Sequence, residues 1–134
     1  KLEETPSVTK VTALRQLGSD IAIVGGLGGM YFYEELERGS NGMMTGFSYP
    51  EVLVAVYRAF TAGDKATARQ AFYAACPILR YEFQPNIGLA LRKEVYRQRG
   101  AIASAFVRHP GAQIDAQLQA ELASALEHSG LKGK

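Results

Sequence analysis

The apolar positions change their spacing along the chain. Val8, Val11 and Leu14 recur at helical intervals, Gly18 follows Leu17 as a stop, and Thr5-Pro6 reads as an N-cap with proline in the first helical turn. Four apolar residues then run unbroken from Ile21 to Val24, as expected of a short parallel strand buried on both faces. Glycines follow at 25, 26, 28 and 29, after which Met30, Phe32 and Leu36 predict a helix closed by Arg38-Gly39. The segment GMMTG, Gly42 to Gly46, predicts a second buried strand. Ser48 and Glu51 form a capping box around Pro50 and open a helix that carries Val52, Leu53, Val56 and Phe60 and ends at Gly63. The order up to Thr61 is helix, strand, helix, strand, helix, which implies crossover connections and a parallel sheet.

The second half is all helical. Ala66 to Leu79 places Ala68, Phe72 and Ala75 on one side and is broken or kinked at Pro77; Ile87 to Gln98 forms another helix, stopped at Gly100. Asp115 caps a last helix with Leu118, Leu122 and Leu126 inward and Gly130 at its end. Two strands cannot make a sheet that stands alone under so many helices. The chain therefore reads as the closing end of a larger α/β barrel, residues 1–62, with a helical appendix, residues 63–134.

Composition narrows the function classes. The 134 residues are 47% apolar, ordinary for a globular chain, and the net charge of +2 is spread thinly, giving no electrostatic reason to expect nucleic acid or an anionic membrane. No apolar run approaches the length of a membrane span and no signal peptide is visible. One cysteine, Cys76, excludes an internal disulfide and suits a reducing cytoplasm; beside Pro77 on a helix it reads as a small hydrophobe rather than a nucleophile. The first residue is lysine, as expected of a fragment or a processed product.

The glycines raise the question of a phosphate-binding loop. Gly26 and Gly28 fit the first two positions of a dinucleotide fingerprint, but the third is Tyr31, and no Gly-Lys-Ser/Thr follows for a P-loop. A strand-to-helix turn, in which glycine accepts positive φ and close approach, is the better reading. The acidic pairs among Glu3, Glu4, Glu34, Glu35 and Glu37 are expected to be solvated, since neighbours in sequence point to different helix faces. His109 and His128 have no cysteine or acidic companions, so no metal site is expected. The basic run Arg92, Lys93, Arg97 and Arg99 is interrupted by Glu94, lacks an aromatic platform and is expected to form a solvated or subunit-facing surface.

KLEETPSVTKVTALR, AIVGG, RGSNGMMTGFSYPEVL, YEFQPNIGLALRKEVYRQRG and RHPG, in that order and spacing, resemble the C-terminal half of the dihydrodipicolinate synthase and N-acetylneuraminate lyase family. The resemblance implies an α/β fold, the C-terminal part of a (β/α)8 TIM barrel followed by a C-terminal helical extension. It implies a class I lyase or aldolase that needs no cofactor, uses pyruvate or another 2-keto acid together with an aldehyde, and assembles as a homo-oligomer, often a tetramer. Lys1 occupies the place of the family's Schiff-base lysine at the end of the sixth strand. Gly25 and Gly26 match the end of the seventh strand, where they are expected to be small because substrate and backbone meet. Gly42, Met43, Met44 and Thr45 match the eighth strand, with Met44 and Thr45 assigned to substrate; the side chains of Met43 and Met44 are expected to pack in the core. The tyrosines present, Tyr31, Tyr33, Tyr49, Tyr57, Tyr73, Tyr81 and Tyr96, are read as packing or interface residues. The family's carboxylate-binding threonine loop and proton-shuttling tyrosine belong to its N-terminal half, so this polypeptide alone is expected to be inactive. Where relatives that handle sugar acids carry acidic side chains this chain has Leu27, Gly28 and Gly29, which disfavours a polyhydroxylated substrate. The run YEFQPNIGLALRK departs from that of the synthases. The alternatives are a non-catalytic α/β interaction module and a family relative that has lost its chemistry.

Overall fold

A computed structural model of the chain describes residues 1–18 and 20–131. Its elements follow the expected order: α1 (Ser7–Gln16), β1 (Val24–Gly25), α2 (Phe32–Glu37), β2 (Gly42–Met43), α3 (Pro50–Thr61), α4 (Lys65–Glu82), α5 (Gly88–Gln98) and α6 (Ala116–His128). β1 and β2 pair in parallel, Val24 with Gly42 and Gly25 with Met43. Leu2 adds a parallel bridge to Gly25, and its N–H donates to the Val24 carbonyl at 2.7 Å. Three parallel segments therefore lie side by side, with β1 in the middle.

The ladders are shorter than the apolar runs suggest. Ile21 is 73% exposed while Ile23 is buried, so the first run is not buried on both faces along its length. Side chains replace the ladder there. Asn41 Oδ1 accepts the Ile23 N–H at 2.8 Å, the Asn41 N–H donates to the Ile23 carbonyl at 2.7 Å, and Ser40 Oγ donates to that carbonyl at 3.0 Å. Arg15 donates from Nε to the Gly39 carbonyl at 2.8 Å and from Nη1 to the Ile21 carbonyl at 3.1 Å.

Four local expectations are corrected. Pro6 stands at the N-cap of α1, with extended ψ of 113°, and Thr5 does not cap the helix. In α1 only Val11 of the expected stripe is fully buried, and Leu14 is exposed. The Ser48 hydroxyl and N–H both donate to Glu82, so the N–H that a capping box would give to Glu51 goes to Glu82 instead. Pro77 has no N–H for the helix ladder, yet α4 runs on to Glu82; Ala75, Ile78 and Leu79 around it are buried, and that packing outweighs the proline penalty of ~3 kcal/mol.

The described residues form two compact units: Lys1–Thr45 with Pro50–Phe72, and Gly46–Tyr49 with the chain from Tyr73 onward. In the first, α2 packs against α1, β2 and α3. Buried Tyr33 anchors this core, meeting Phe60 edge-on at 5.9 Å and Phe72 in a stack at 6.3 Å. In the second, Ile78, Leu79, Leu91, Val95, Leu122 and Leu126 are buried, and Asp115 caps α6 by accepting the Leu118 N–H at 2.8 Å. The basic residues of α5 make contacts within the unit, while Arg97 stays exposed as a solvated surface requires. Arg97 holds Glu94 through two bonds of 2.8 and 2.6 Å, Arg99 lies 4.3 Å over the Tyr49 ring, and Lys93 binds the Phe106 carbonyl. No described helix is long and apolar enough to cross a membrane.

Glu82 is almost wholly buried in the second unit. Burial pushes its carboxyl up to about 7, against the pull of the Ser48 hydrogen bonds and of Arg92 and Arg99. A folded-state value above the unfolded one means that its contribution is complete below the ordinary glutamate range and is lost as pH rises through about 7. We expect a Glu82→Gln protein, compared with the parent by thermal unfolding at pH 5 and pH 8.5, to lose less stability on going to the higher pH, by roughly 3 kcal/mol. An identical pH response in the two proteins would contradict this account.

Candidate active site

Successive residues at the end of β1 face opposite ways, and each is met by a carboxylate side chain. A Cβ on Gly25 would lie 1.8 Å from Glu35 Oε2 and 2.8 Å from Met43 Cε. A Cβ on Gly26 would lie 2.4 Å from Glu3 Cγ. Glu3 in turn holds Lys1, with Nζ 3.1 Å from Oε1 and the two side chains 37% and 55% exposed. The Leu2 bridge fixes Lys1 and Glu3 beside β1. The side chains of Glu35 and Met43 lie beside Gly25 and that of Glu3 beside Gly26.

Glu35 differs most from its expected solvated state. It is wholly buried, its Oε1 accepts the Ser7 hydroxyl at 2.6 Å, and its Oε2 has no hydrogen-bond partner. Burial raises its carboxyl above the ordinary range, the Ser7 bond pulls it back, and the Glu34 charge adds to the rise. A signal for this was present in the spacing: Glu35 stands three residues after Phe32 and next to Leu36, inside the apolar stripe of α2.

The turn after Gly26 is left-handed at Leu27, Gly28 and Gly29, with φ of 48°, 68° and 91°. Such values favour glycine, most of all at Gly29, although Leu27 adopts one as well. The helix that follows carries Glu34 and Glu35 in its first turn, which opposes a phosphate there. The turn therefore serves the chain reversal and carries no feature of a nucleotide loop.

The Met44 N–H donates to the Gly25 carbonyl at 3.0 Å, tying the end of β2 to the end of β1. The Met44 side chain is 59% exposed, so the core-packing expectation fails for it, whereas Met43 is half-buried with its terminal methyl beside Gly25. Thr45 is half-buried. Met44 and Thr45 line an open concavity of about 660 Å³ with Met43, Phe32 of α2 and Leu53 and Tyr57 of α3. Lys1, Gly25 and Gly26 do not line it. The structure thus gathers Lys1, Glu3, Gly25 and Gly26 at one strand end, joins Met44 to Gly25 by its backbone, and places Met44 and Thr45 in the lining of the concavity beside α3.

Relatives place this geometry in context. No protein-family model matches the chain. The L-2-keto-3-deoxyarabonate dehydratase of Azospirillum brasilense is 30% identical over 125 residues, covering 91% of this chain and 40% of the dehydratase. The crystal structure of dihydrodipicolinate synthase from Rhodopseudomonas palustris superposes with a TM-score of 0.91 at 36% identity, over 96% of this chain and 44% of that one. The dihydrodipicolinate synthase structure from Oceanobacillus iheyensis has the same fold at 18% identity, with a TM-score of 0.79 over 95% and 44% of the two chains. The chain therefore spans less than half the length of the proteins it matches, and its architecture is the C-terminal part of a TIM barrel with a helical extension.

The two glycines should respond differently to the same substitution. Against the buried Glu35, Gly25→Ala has no relief and should cost on the order of 3 kcal/mol; against the exposed, flexible Glu3, Gly26→Ala should cost under about 1 kcal/mol. Thermal unfolding of the two variants in the full-length protein measures the difference, and equal costs would refute the packing described here.

Proposed function

We propose that this chain, which belongs to the dihydrodipicolinate synthase family, carries the Schiff-base lysine of a lyase or aldolase acting on pyruvate or a related 2-keto acid. The observation that supports the reading is the convergence of Lys1, Glu3 and Gly26 at the C-terminal end of a parallel strand, where barrel enzymes place their chemistry. Lys1 Nζ attacks the ketone carbon as a free amine, and water leaves to give an iminium. The iminium draws electrons from the adjacent carbon, which loses a proton to form an enamine. That enamine adds to an aldehyde, or the same steps reversed cleave the carbon bond. Glu3, 3.1 Å from Nζ, is placed to take the proton that the ammonium must lose before attack. Gly26 leaves the space in which Glu3 lies. Met44 and Thr45 are assigned to the flank of the bound keto acid, Met44 through the backbone bond that fixes it to Gly25.

A second reading keeps the same iminium and changes its fate. The 30%-identical relative is named as a dehydratase of a 2-keto-3-deoxy acid. Loss of the C3 proton and departure of the C4 hydroxyl as water is the corresponding elimination, with the lysine again the electron sink. Leu27, Gly28 and Gly29 offer no side-chain acceptors for substrate hydroxyls, which favours short, sparsely hydroxylated acids in either case. Since the chain spans less than half of its relatives' length, the carboxylate loop, the proton-shuttling tyrosine and the assembly state are assigned to the whole protein, expected to be a homo-oligomer.

Borohydride reduction of the full-length protein in the presence of pyruvate, followed by peptide mapping, tests the reading. The expected result is a reduced pyruvate adduct on Lys1. Glu3→Gln should slow adduct formation about a hundredfold without moving its site. Folded wild-type protein that yields no adduct at Lys1 would remove the catalytic reading and leave the alternative of a relative with lost chemistry.

A further inference from the structure

Glu35 has no part in the chemistry above, yet it touches the strand that carries it. Its carboxyl sits on one side of the β1 end, against Gly25, and the Lys1–Glu3 pair sits against the next residue, Gly26. The strand end is therefore bracketed by two acidic side chains on its two faces. On one face the acid is exposed and mobile; on the other it is fully buried and pinned by Ser7 from α1 at 2.6 Å. Only the buried one can act as a fixed stop.

We infer that Glu35 is a positioning residue: its carboxyl, oriented by Ser7, sets how far the Gly25–Gly26 strand end stands from α2 and so how Gly26 presents itself to Glu3 and Lys1. The assignment rests on the Lys1 reading for its functional consequence and on packing alone for its structural one. Glu35 Oε2, buried without a hydrogen-bond partner, lies so near Gly25 that any Cβ there would have to displace it, and Met43 of β2 closes the same space with its terminal methyl. An acid that makes one hydrogen bond and leaves its other oxygen buried costs stability that an apolar residue would not. Such a residue is kept where its exact shape is used. The groups facing it are the Ser7 hydroxyl on α1, Gly25 on β1, Met43 on β2 and, on its own helix, the Glu34 carboxylate. None of these is a cation, and burial and the Glu34 charge both push the carboxyl above its ordinary range against the pull of Ser7.

Full-length Glu35→Gln, Glu35→Ala and Ser7→Ala proteins test the inference by two measurements. The first is the pyruvate concentration giving half-maximal borohydride trapping at Lys1, together with the maximal yield. The second is hydrogen exchange of the peptide containing Val24 to Gly26. Glu35→Gln, neutral and of the same shape, should stay within about twofold of wild type in both. Glu35→Ala should raise the half-saturating pyruvate about tenfold while leaving the maximal yield unchanged, and should speed exchange at the strand end. Ser7→Ala, which keeps the acid and frees its orientation, should move both in the same direction by less, and decides the matter if Glu35→Ala does not fold. Wild-type trapping by both alanine variants, or a glutamine variant as impaired as the alanine one, would overturn the positioning role. If wild-type protein traps no pyruvate, the Lys1 reading fails instead, and unchanged exchange in the Ser7 and Glu35 variants would then overturn this inference separately.

Discussion

The first unit depends on how closely helix and strand approach at Gly25. The Glu35 carboxyl occupies the place where another residue at position 25 would have its Cβ, so glycine there lets this side chain lie against β1. The neighbouring features follow from this approach. Met43 pairs with Gly25 and folds its end into the same space; Ser7 turns its hydroxyl inward from α1 instead of capping the helix outward. Met44 is then held to the Gly25 carbonyl, and the chain leaves β2 in a fixed direction.

Three buried glutamates show three ways of meeting the cost of burying an acid. Glu94 is met by a guanidinium in two bonds and two-point geometry, and that partner holds its carboxyl below the ordinary range. Glu82 receives an N–H and a hydroxyl from Ser48, with two guanidinium groups nearby, and burial still wins. Glu35 receives one hydroxyl and no cation. Glu94, gripped by a guanidinium, behaves as an ion pair, whereas at Glu82 and Glu35 the desolvation of the carboxyl outweighs the donors it meets.

What could be read from the sequence divides along the same physical line. Helix positions were legible because apolar spacing and glycine stops are local: α5, α6 and the glycines after α1 and α3 fall where the pattern puts them. The two strands were located but overextended, since Asn41, Ser40 and Arg15 take over the pairing with side chains, and a run such as Ile21 to Val24 carries no mark of that. Proline at 77 predicts a break or a kink because the local penalty is visible in the sequence; the helix is not broken, and the burial of Ile78 and Leu79 that accompanies it is not visible there. The expectation of a solvated Glu35 fails because this residue stands three positions after the buried Phe32, on the same helix face, and position outweighs charge type. The closeness of Glu3 to both Lys1 and Gly26 lay beyond any periodicity, because it depends on a bridge between Leu2 and a strand more than twenty residues away.

The contrast between the two faces of β1 bears on the chemistry proposed for it. A lysine that must become a nucleophile cannot be held by a deeply buried carboxylate, since separating such a pair leaves an uncompensated charge and costs several kcal/mol. The Lys1–Glu3 pair is half open to solvent, and pairs of that kind are worth at most about 1 kcal/mol. An incoming ketone can displace it at small cost while the carboxylate remains within reach of the proton released. Precision is supplied from the other side, where Glu35 and Ser7 are out of water and cannot be displaced. On the proposed Schiff-base reading, a yielding acid on the face of Lys1 and a buried acid on the other would let the strand end keep its geometry while the amine changes charge.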